Sequence, residues 1–133
     1  IAEHVAVDLE IRGCPISKHE LLATITALLA RRRPPVTSAS VCVECKQAGN
    51  PCVLVAGGTT CLGPVTHGGC GALCPSFARG CFGCFGPSEA ANVPALRVAW
   101  RVAGHDDDEF DRALRTFNVE APAFRESAGK GQA

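Results

Sequence analysis

The sequence predicts an α-helical and irregular fold built round a cysteine-rich centre, entered through what reads as the last strand–helix unit of an open α/β sheet. Three observations predict it. Eight of the nine cysteines fall within residues 42–84. That stretch is rich in Gly and Pro and has no repeating apolar period, so it cannot bury enough apolar surface of its own to offset its conformational entropy. One alternating segment and one helical stripe precede it, and two helical patterns follow. Cysteines at this density imply metal, an inorganic cluster or disulfides.

A chain of 133 residues suits one modest domain or part of a larger one. Its apolar fraction is 47%, but Cys and Ala inflate it, Tyr and Met are absent, and there is one Trp. The large-residue core is therefore thin. The formal net charge is zero, which gives no basic surface for nucleic acid. No apolar run approaches the roughly 18–20 residues of a membrane span, and no signal peptide is visible. The chain opens on Ile and lacks Met, which suggests that the natural N-terminus, with any targeting segment, is missing.

In chain order, residues 4–11 alternate. Val5, Val7, Leu9 and Ile11 face one way, and His4, Ala6, Asp8 and Glu10 the other, as in a strand with one buried face. Gly13-Cys14-Pro15 breaks it, at the carboxyl end of the strand where open α/β sheets place their sites. Ser17 and Glu20 form a capping box for a helix. Its stripe is Leu21, Leu22, Ile25, Leu28 and Leu29. Arg31, Arg32 and Arg33 sit in the last turn as a solvated, dipole-matched end, and Pro34-Pro35 stops it. After the cysteines, Asn92 caps a helix with Pro94 in its first turn, Leu96, Trp100 and Ala103 share a face, and Gly104 ends it. A strand reading of residues 96–102 also fits, but the cap and stop favour helix. Asp106 or Asp107 then caps a helix with Phe110, Ala113, Leu114 and Phe117 on one side, and the acidic run at 106–109 suits its positive end. Residues 126–133 read as a frayed tail. The expected division is residues 1–35 as the end of an α/β domain, 36–125 as the cysteine-organised domain with its helices, and 126–133 as tail.

The cysteine spacing is C-x2-C-x6-C-x8-C, then x8, then C-x3-C-P-x5-C-x2-C. The fourfold division groups Cys42, Cys45, Cys52 and Cys61, and separately Cys70, Cys74, Cys81 and Cys84. A crossed assignment stays open, because two-cluster ferredoxins send the cysteine before Pro to the other cluster. Cys14 is left over, either as a buried structural thiol or as one ligand of a site whose other ligands lie outside the chain. An odd cysteine count and flanking helices argue against disulfides. Zinc favours two short C-x2–4-C pairs per ion, and each group here has one such pair with two more distant cysteines, apart from the x3 gap before Cys74. Iron–sulfur remains, since a four-iron cube can be grasped from widely spaced positions. Gly63, Gly68, Gly69, Gly71, Gly80, Gly83 and Gly86 permit close backbone approach to an anionic cluster. Phe77, Phe82 and Phe85 either shield a cluster or pack a small core. His67 reads as a loop histidine sooner than a ligand. Arg79 is either a partner for cluster charge or a surface arginine.

Four pieces together, R-G-C-P, C-V-E-C-K-Q-A-G-N-P-C, C-L-G-P-V-T-H-G-G-C-G-A-L-C-P-S and R-G-C-F-G-C-F-G-P, resemble the small, electron-transfer subunit of nickel–iron hydrogenases over roughly residues 4–117. The likeness is to the cytoplasmic, multimeric, pyridine-nucleotide- or deazaflavin-linked type. The resemblance implies that Cys14 is the last ligand of a proximal cluster. It implies that Cys42, Cys45, Cys52 and Cys61 hold a distal 4Fe-4S cluster, with Cys at 42 where many membrane-bound relatives have His. It implies that Cys70, Cys74, Cys81 and Cys84 hold a medial one, Cys74 completing four irons where some relatives have Pro and three. It further implies an N-terminal flavodoxin-like portion absent from this sequence, a large partner subunit with the nickel–iron site, a flavin/NAD(P)-binding or ferredoxin-like acceptor subunit, and a cytoplasmic location. The chain would then be a wire with no acid–base chemistry of its own. Two other readings are a zinc-stabilised binding module without redox role and a complex I-like electron-transfer subunit. The second shares Gly-Cys-Pro but lacks the eight-cysteine region.

Overall fold

The computed structural model describes residues 4–129. The helices in it are α1 (Lys18–Leu29), α2 (Val41–Gln47), α3 (Val53–Gly57), α4 (Leu73–Ser76), α5 (Val93–Val102), α6 (Asp107–Leu114) and α7 (Pro122–Arg125), with a 3-10 turn at Gly63–Val65. Among the described residues the β-structure is limited to isolated bridges, Gly13 with Ile16, Ser40 with His67, and Thr66 with Pro87. The strand expected over residues 4–11 is therefore a correction. The segment is irregular and Val5 and Val7 are exposed. A strand is stable only when its N–H and C=O groups meet a neighbour, and the described residues offer this one no partner.

Helix α1 forms where its cap predicts, with Ser17 accepting a hydrogen bond from the Glu20 N–H at 3.4 Å. Its apolar stripe behaves otherwise. Leu22 is 62% exposed and Leu29 82%, with Ile25 and Leu28 also in the open, and only Thr24 is buried. The helix ends at Leu29, so Arg31, Arg32 and Arg33 lie beyond the last turn and are exposed. The stripe has an amphipathic pattern without a surface to bury it.

The core lies between the cysteine region and the C-terminal helices, and both supply it. Val93, Leu96 and Trp100 of α5, Phe110 and Leu114 of α6 and Phe124 of α7 are buried together with Val41, Leu54, Leu62 and Val65 from the cysteine stretch. So the middle of the chain does bury apolar side chains, on a surface that residues 93–124 supply. Helix α5 is helix and not strand, capped by Asn92 accepting from the Ala95 N–H at 3.1 Å. Helix α6 is capped by Asp106 accepting from the Glu109 N–H at 2.6 Å. It stops at Leu114, so Phe117 falls past its end, half-buried. Trp100 meets Phe110 edge-to-face with ring centroids 4.9 Å apart, a favoured aromatic geometry.

One buried charge ties the end of the chain down. Arg97 donates to Asp111 at 2.5 Å and to the Ser127 carbonyl at 2.7 Å, and its guanidinium lies over the Phe110 ring at 4.6 Å. The Gly129 N–H donates to the other Asp111 oxygen at 2.8 Å. Residues 126–129 are thus anchored and not frayed. The remainder of the expected tail, 130–133, lies outside the described residues.

His105 joins α6 to the turn after α3. Its Nε2 is 2.8 Å from the Gly58 carbonyl and its Nδ1 2.9 Å from the Glu109 carboxylate. Both partners are acceptors, so only the doubly protonated ring satisfies both. The Gly58 carbonyl, then Glu109, raises the His105 pKa above its ordinary 6.5. The folded state holds that proton more tightly than the unfolded chain, so the stabilisation is complete below about pH 6.5 and fades as pH rises through the higher folded value. Melting temperature followed from pH 5.5 to 8.5 is expected to fall across this window, and His105→Gln to flatten that part of the slope.

Candidate metal centre

The cysteines collect around two adjoining cavities. Cys42, Cys45, Cys52 and Cys61 line the narrower, about 30 Å³, with Leu54, Gly63 and Pro64. Cys70, Cys74, Cys81 and Cys84 line the wider, about 300 Å³, and Cys14 joins them there. Val41 and Pro75 belong to both walls, so a thin apolar partition separates the two. The thiols ring these spaces and do not meet at a point. Among the described residues, no three His, Cys, Asp or Glu side chains stand close enough to hold one ion.

Local structure explains the grouping. Cys42 and Cys45 are one turn apart on α2, which places both thiols on one face. Cys52 precedes α3 as its N-cap residue, and Cys61 precedes the 3-10 turn. Cys74 lies on α4, with Cys70 in the loop before it. The two segments that carry Cys61 and Cys81 cross in contact. The Leu62 N–H donates to the Cys81 carbonyl at 2.9 Å, and the Cys81 N–H points at the Cys61 sulfur at 3.3 Å. The crossing requires Gly80, because a Cβ there would stand 1.6 Å from the Thr60 carbonyl oxygen. Trp100 Nε1 donates to the Cys61 carbonyl at 3.1 Å and so binds the crossing to the core.

The sulfurs sit among backbone donors and other sulfurs. The Gly63 N–H approaches the Cys61 sulfur at 3.4 Å and the Gly83 N–H the Cys81 sulfur at 3.5 Å. A Cβ on Gly63 would come within 3.3 Å of the Cys61 sulfur and 3.5 Å of that of Cys42, so a side chain there would intrude among the thiols. Burial, then the neighbouring Cys61, Cys45 and Cys52, pushes the Cys42 thiol up to about 11. Burial pushes Cys81 up to about 12 against the opposing Gly83 N–H. Cys61 and Cys84 are raised as well, burial leading in both, and Cys84 also feels Cys70, Cys74 and Cys14. Such thiols give up their protons when a cation is beside them, as metal ligation requires.

Eight soft sulfur donors in two sets of four, with amide N–H groups aimed at sulfur, fit iron–sulfur ligation. Other residues singled out from sequence divide. Phe85 is buried and, with half-exposed Phe82, lines the wider cavity, while Phe77 lies on the surface. His67 is buried, its Nδ1 bonded to the Gly68 carbonyl at 2.7 Å, and it lines neither cavity. Arg79 is exposed. Cys14, joined to Pro15 by a cis peptide, is exposed between the wider cavity and an open cleft of about 790 Å³ lined in part by Glu10, Arg12 and Cys84. The sequence reading missed Glu44, whose carboxylate reaches the loop of Cys70. Its place between the cysteines of C-V-E-C was the available signal.

Two sets of thiols around adjoining cavities in a small helical fold define a candidate metal centre. No protein-family model matches the chain. The chain is 42% identical over 118 residues to the delta subunit of sulfhydrogenase 2 from Pyrococcus furiosus, covering 88% of this chain and 49% of that protein. It is 36% identical over 121 residues to a vhu subunit of the F420-non-reducing hydrogenase of Methanocaldococcus jannaschii, with 71% and 42% covered. It is 33% identical over 150 residues to the iron-sulfur subunit of the F420-non-reducing hydrogenase of Archaeoglobus profundus, with 90% and 46% covered. Its homologues are thus hydrogenase subunits, one of them named for iron and sulfur. The chain spans about half the length of the curated relatives it matches.

Gly80→Ala is expected to destabilise the protein at or beyond the upper end of the roughly 1–3 kcal/mol of ordinary overpacking, because the added methyl meets backbone. Gly57→Ala, whose methyl would meet only the Thr59 hydroxyl at 3.5 Å, is expected to be tolerated. Thermal unfolding of the two variants side by side measures the contrast.

Proposed function

We propose that this chain is the electron-transfer part of a nickel–iron hydrogenase of the cytoplasmic, pyridine-nucleotide- or deazaflavin-linked type. It would hold two 4Fe-4S clusters, one on Cys42, Cys45, Cys52 and Cys61 and one on Cys70, Cys74, Cys81 and Cys84, and give Cys14 to a third. The observation that carries the reading is the collection of eight thiols round two cavities that share a wall. The likeness to hydrogenase subunits over most of the chain supports it.

When bound, such clusters accept and release single electrons at potentials set by burial, net charge and hydrogen bonds to sulfur. The chain's residues supply those settings. The N–H groups of Gly63, Cys81 and Gly83 favour charge on the sulfurs they face. Phe85, Val41 and Pro75 keep water from the inner wall. The irregular loops keep the thiols round the two cavities. Nothing in the site performs acid–base chemistry on a substrate. The assembly's reaction is oxidation of hydrogen to two protons and two electrons, or its reverse, at a nickel–iron site in a large partner subunit. A flavin/NAD(P)-binding or ferredoxin-like subunit exchanges the electrons.

Residues 1–35 are read as the edge of a flavodoxin-like α/β domain and 36–125 as the cluster-organised domain. The uncovered stripe of α1 and the unpaired segment before it support this, since the remaining strands and helices of such a domain would cover both. Among the described residues no helix is long and apolar enough to cross a membrane.

Anaerobic iron and acid-labile sulfide analysis of the purified complex tests the proposal. A brown protein whose visible absorption bleaches on reduction is expected. A colourless protein carrying two zinc ions overturns the reading in favour of a structural module. Cys74→Pro is expected to leave one site with a three-iron species of raised potential, detected by electron paramagnetic resonance of the oxidised protein. An unchanged spectrum removes Cys74 from the ligand set.

A further inference from the structure

We propose that Glu44 is a positioning residue that ties the two cysteine groups together and holds down the reduction potential of the group containing Cys70. The inference rests on the iron–sulfur reading above. Glu44 stands on α2 between Cys42 and Cys45, which line the narrower cavity. Its carboxylate turns to the other group. One oxygen accepts from the Gly69 N–H at 2.7 Å, the other from the Ala72 N–H at 3.2 Å, and this second oxygen lies 3.9 Å from the Cys70 sulfur.

The loop is shaped to receive that carboxylate. Gly69, Gly71 and Ala72 all have positive φ, at 124°, 67° and 54°. For Ala this is an uncommon conformation. The turn brings the Gly69 and Ala72 N–H groups onto one carboxylate, as backbone amides in turns do for anions, and the anion they meet is a side chain of the same molecule. Gly68 lets the loop pass close, since a Cβ there would come within 3.2 Å of the Glu44 carboxyl carbon.

Two consequences follow from one side chain. The helix that presents Cys42 and Cys45 also fixes the loop that presents Cys70, so the two groups keep a set separation. A negative charge beside the Cys70 sulfur opposes an added electron on whatever that sulfur binds, and the low local dielectric strengthens the effect. The group on α2 itself feels less of it, because both carboxylate oxygens are bonded to the loop of Cys70 and one lies 3.9 Å from that sulfur.

The test is a redox titration, followed by electron paramagnetic resonance, of the complex containing the full chain, with iron and sulfide measured on the same samples. Glu44→Gln keeps the size but removes the charge and leaves one N–H facing an amide NH2. It is expected to retain its iron, to move one midpoint potential to a more positive value and to leave the other unchanged. Glu44→Asp keeps the charge and is expected to hold that potential near the wild-type value. Glu44→Ala is expected to lose iron from one site and keep it in the other. Unchanged potentials in fully loaded Glu44→Gln overturn the proposal, as does loss of iron from both sites in all three variants. If the wild-type complex itself gives no iron–sulfur signal, the functional reading falls, and this inference with it.

Discussion

The rest of the structure depends on one backbone crossing. Residues 60–62 and 80–81 pass so closely that position 80 has room for a hydrogen atom and nothing larger. The contact joins Cys61, which belongs to one thiol group, to Cys81, which belongs to the other, through a backbone hydrogen bond and an N–H aimed at sulfur. Trp100 holds the crossing from below through the Cys61 carbonyl. The two cavities are neighbours because these two segments touch, and the segments stay in touch because the C-terminal helices give them a floor.

Burial and charge pull in opposite directions at the sulfurs. The thiols of Cys42, Cys61, Cys81 and Cys84 are all harder to ionise than a free cysteine, burial being the main cause in each case. Of the side chains that act on them, Lys46 is the cation that favours the Cys42 thiolate. A few N–H groups help at Cys61 and Cys81, but they are dipoles and not full charges. Thiolates gathered round either cavity would therefore need positive charge from something bound between them. Metal ligation, as proposed, would couple to the compact state for this reason, and Glu44 adds a negative charge where it serves geometry.

The chain's two ends behave differently because they meet different surfaces. Helices α5, α6 and α7 close on each other and on the cysteine loops, and the buried Arg97–Asp111 pair carries the closure to residue 129. Helix α1 also carries apolar side chains at helical spacing, more weakly segregated than those of α5 and α6, and most of them face outward. An amphipathic pattern states that a helix has a face to bury. It does not state that the burying surface lies in the same chain.

The sequence by itself determined the local features. Ser17, Asn92 and Asp106 start helices because a side-chain oxygen can reach an N–H three residues on, and that reach is a property of the local chain. It also determined the fourfold spacing of the thiols, and the two cavities divide the eight cysteines along the same line. Tertiary structure alone decided that residues 4–11 form no strand, since pairing needs a neighbour. It decided that Leu54, Leu62 and Val65 have an apolar floor, since residues 93–124 provide it. It brought Cys14 beside Cys84 and Glu44 against the loop of Cys70. Those contacts join residues tens of positions apart, and no periodicity within either segment encodes where the other will lie.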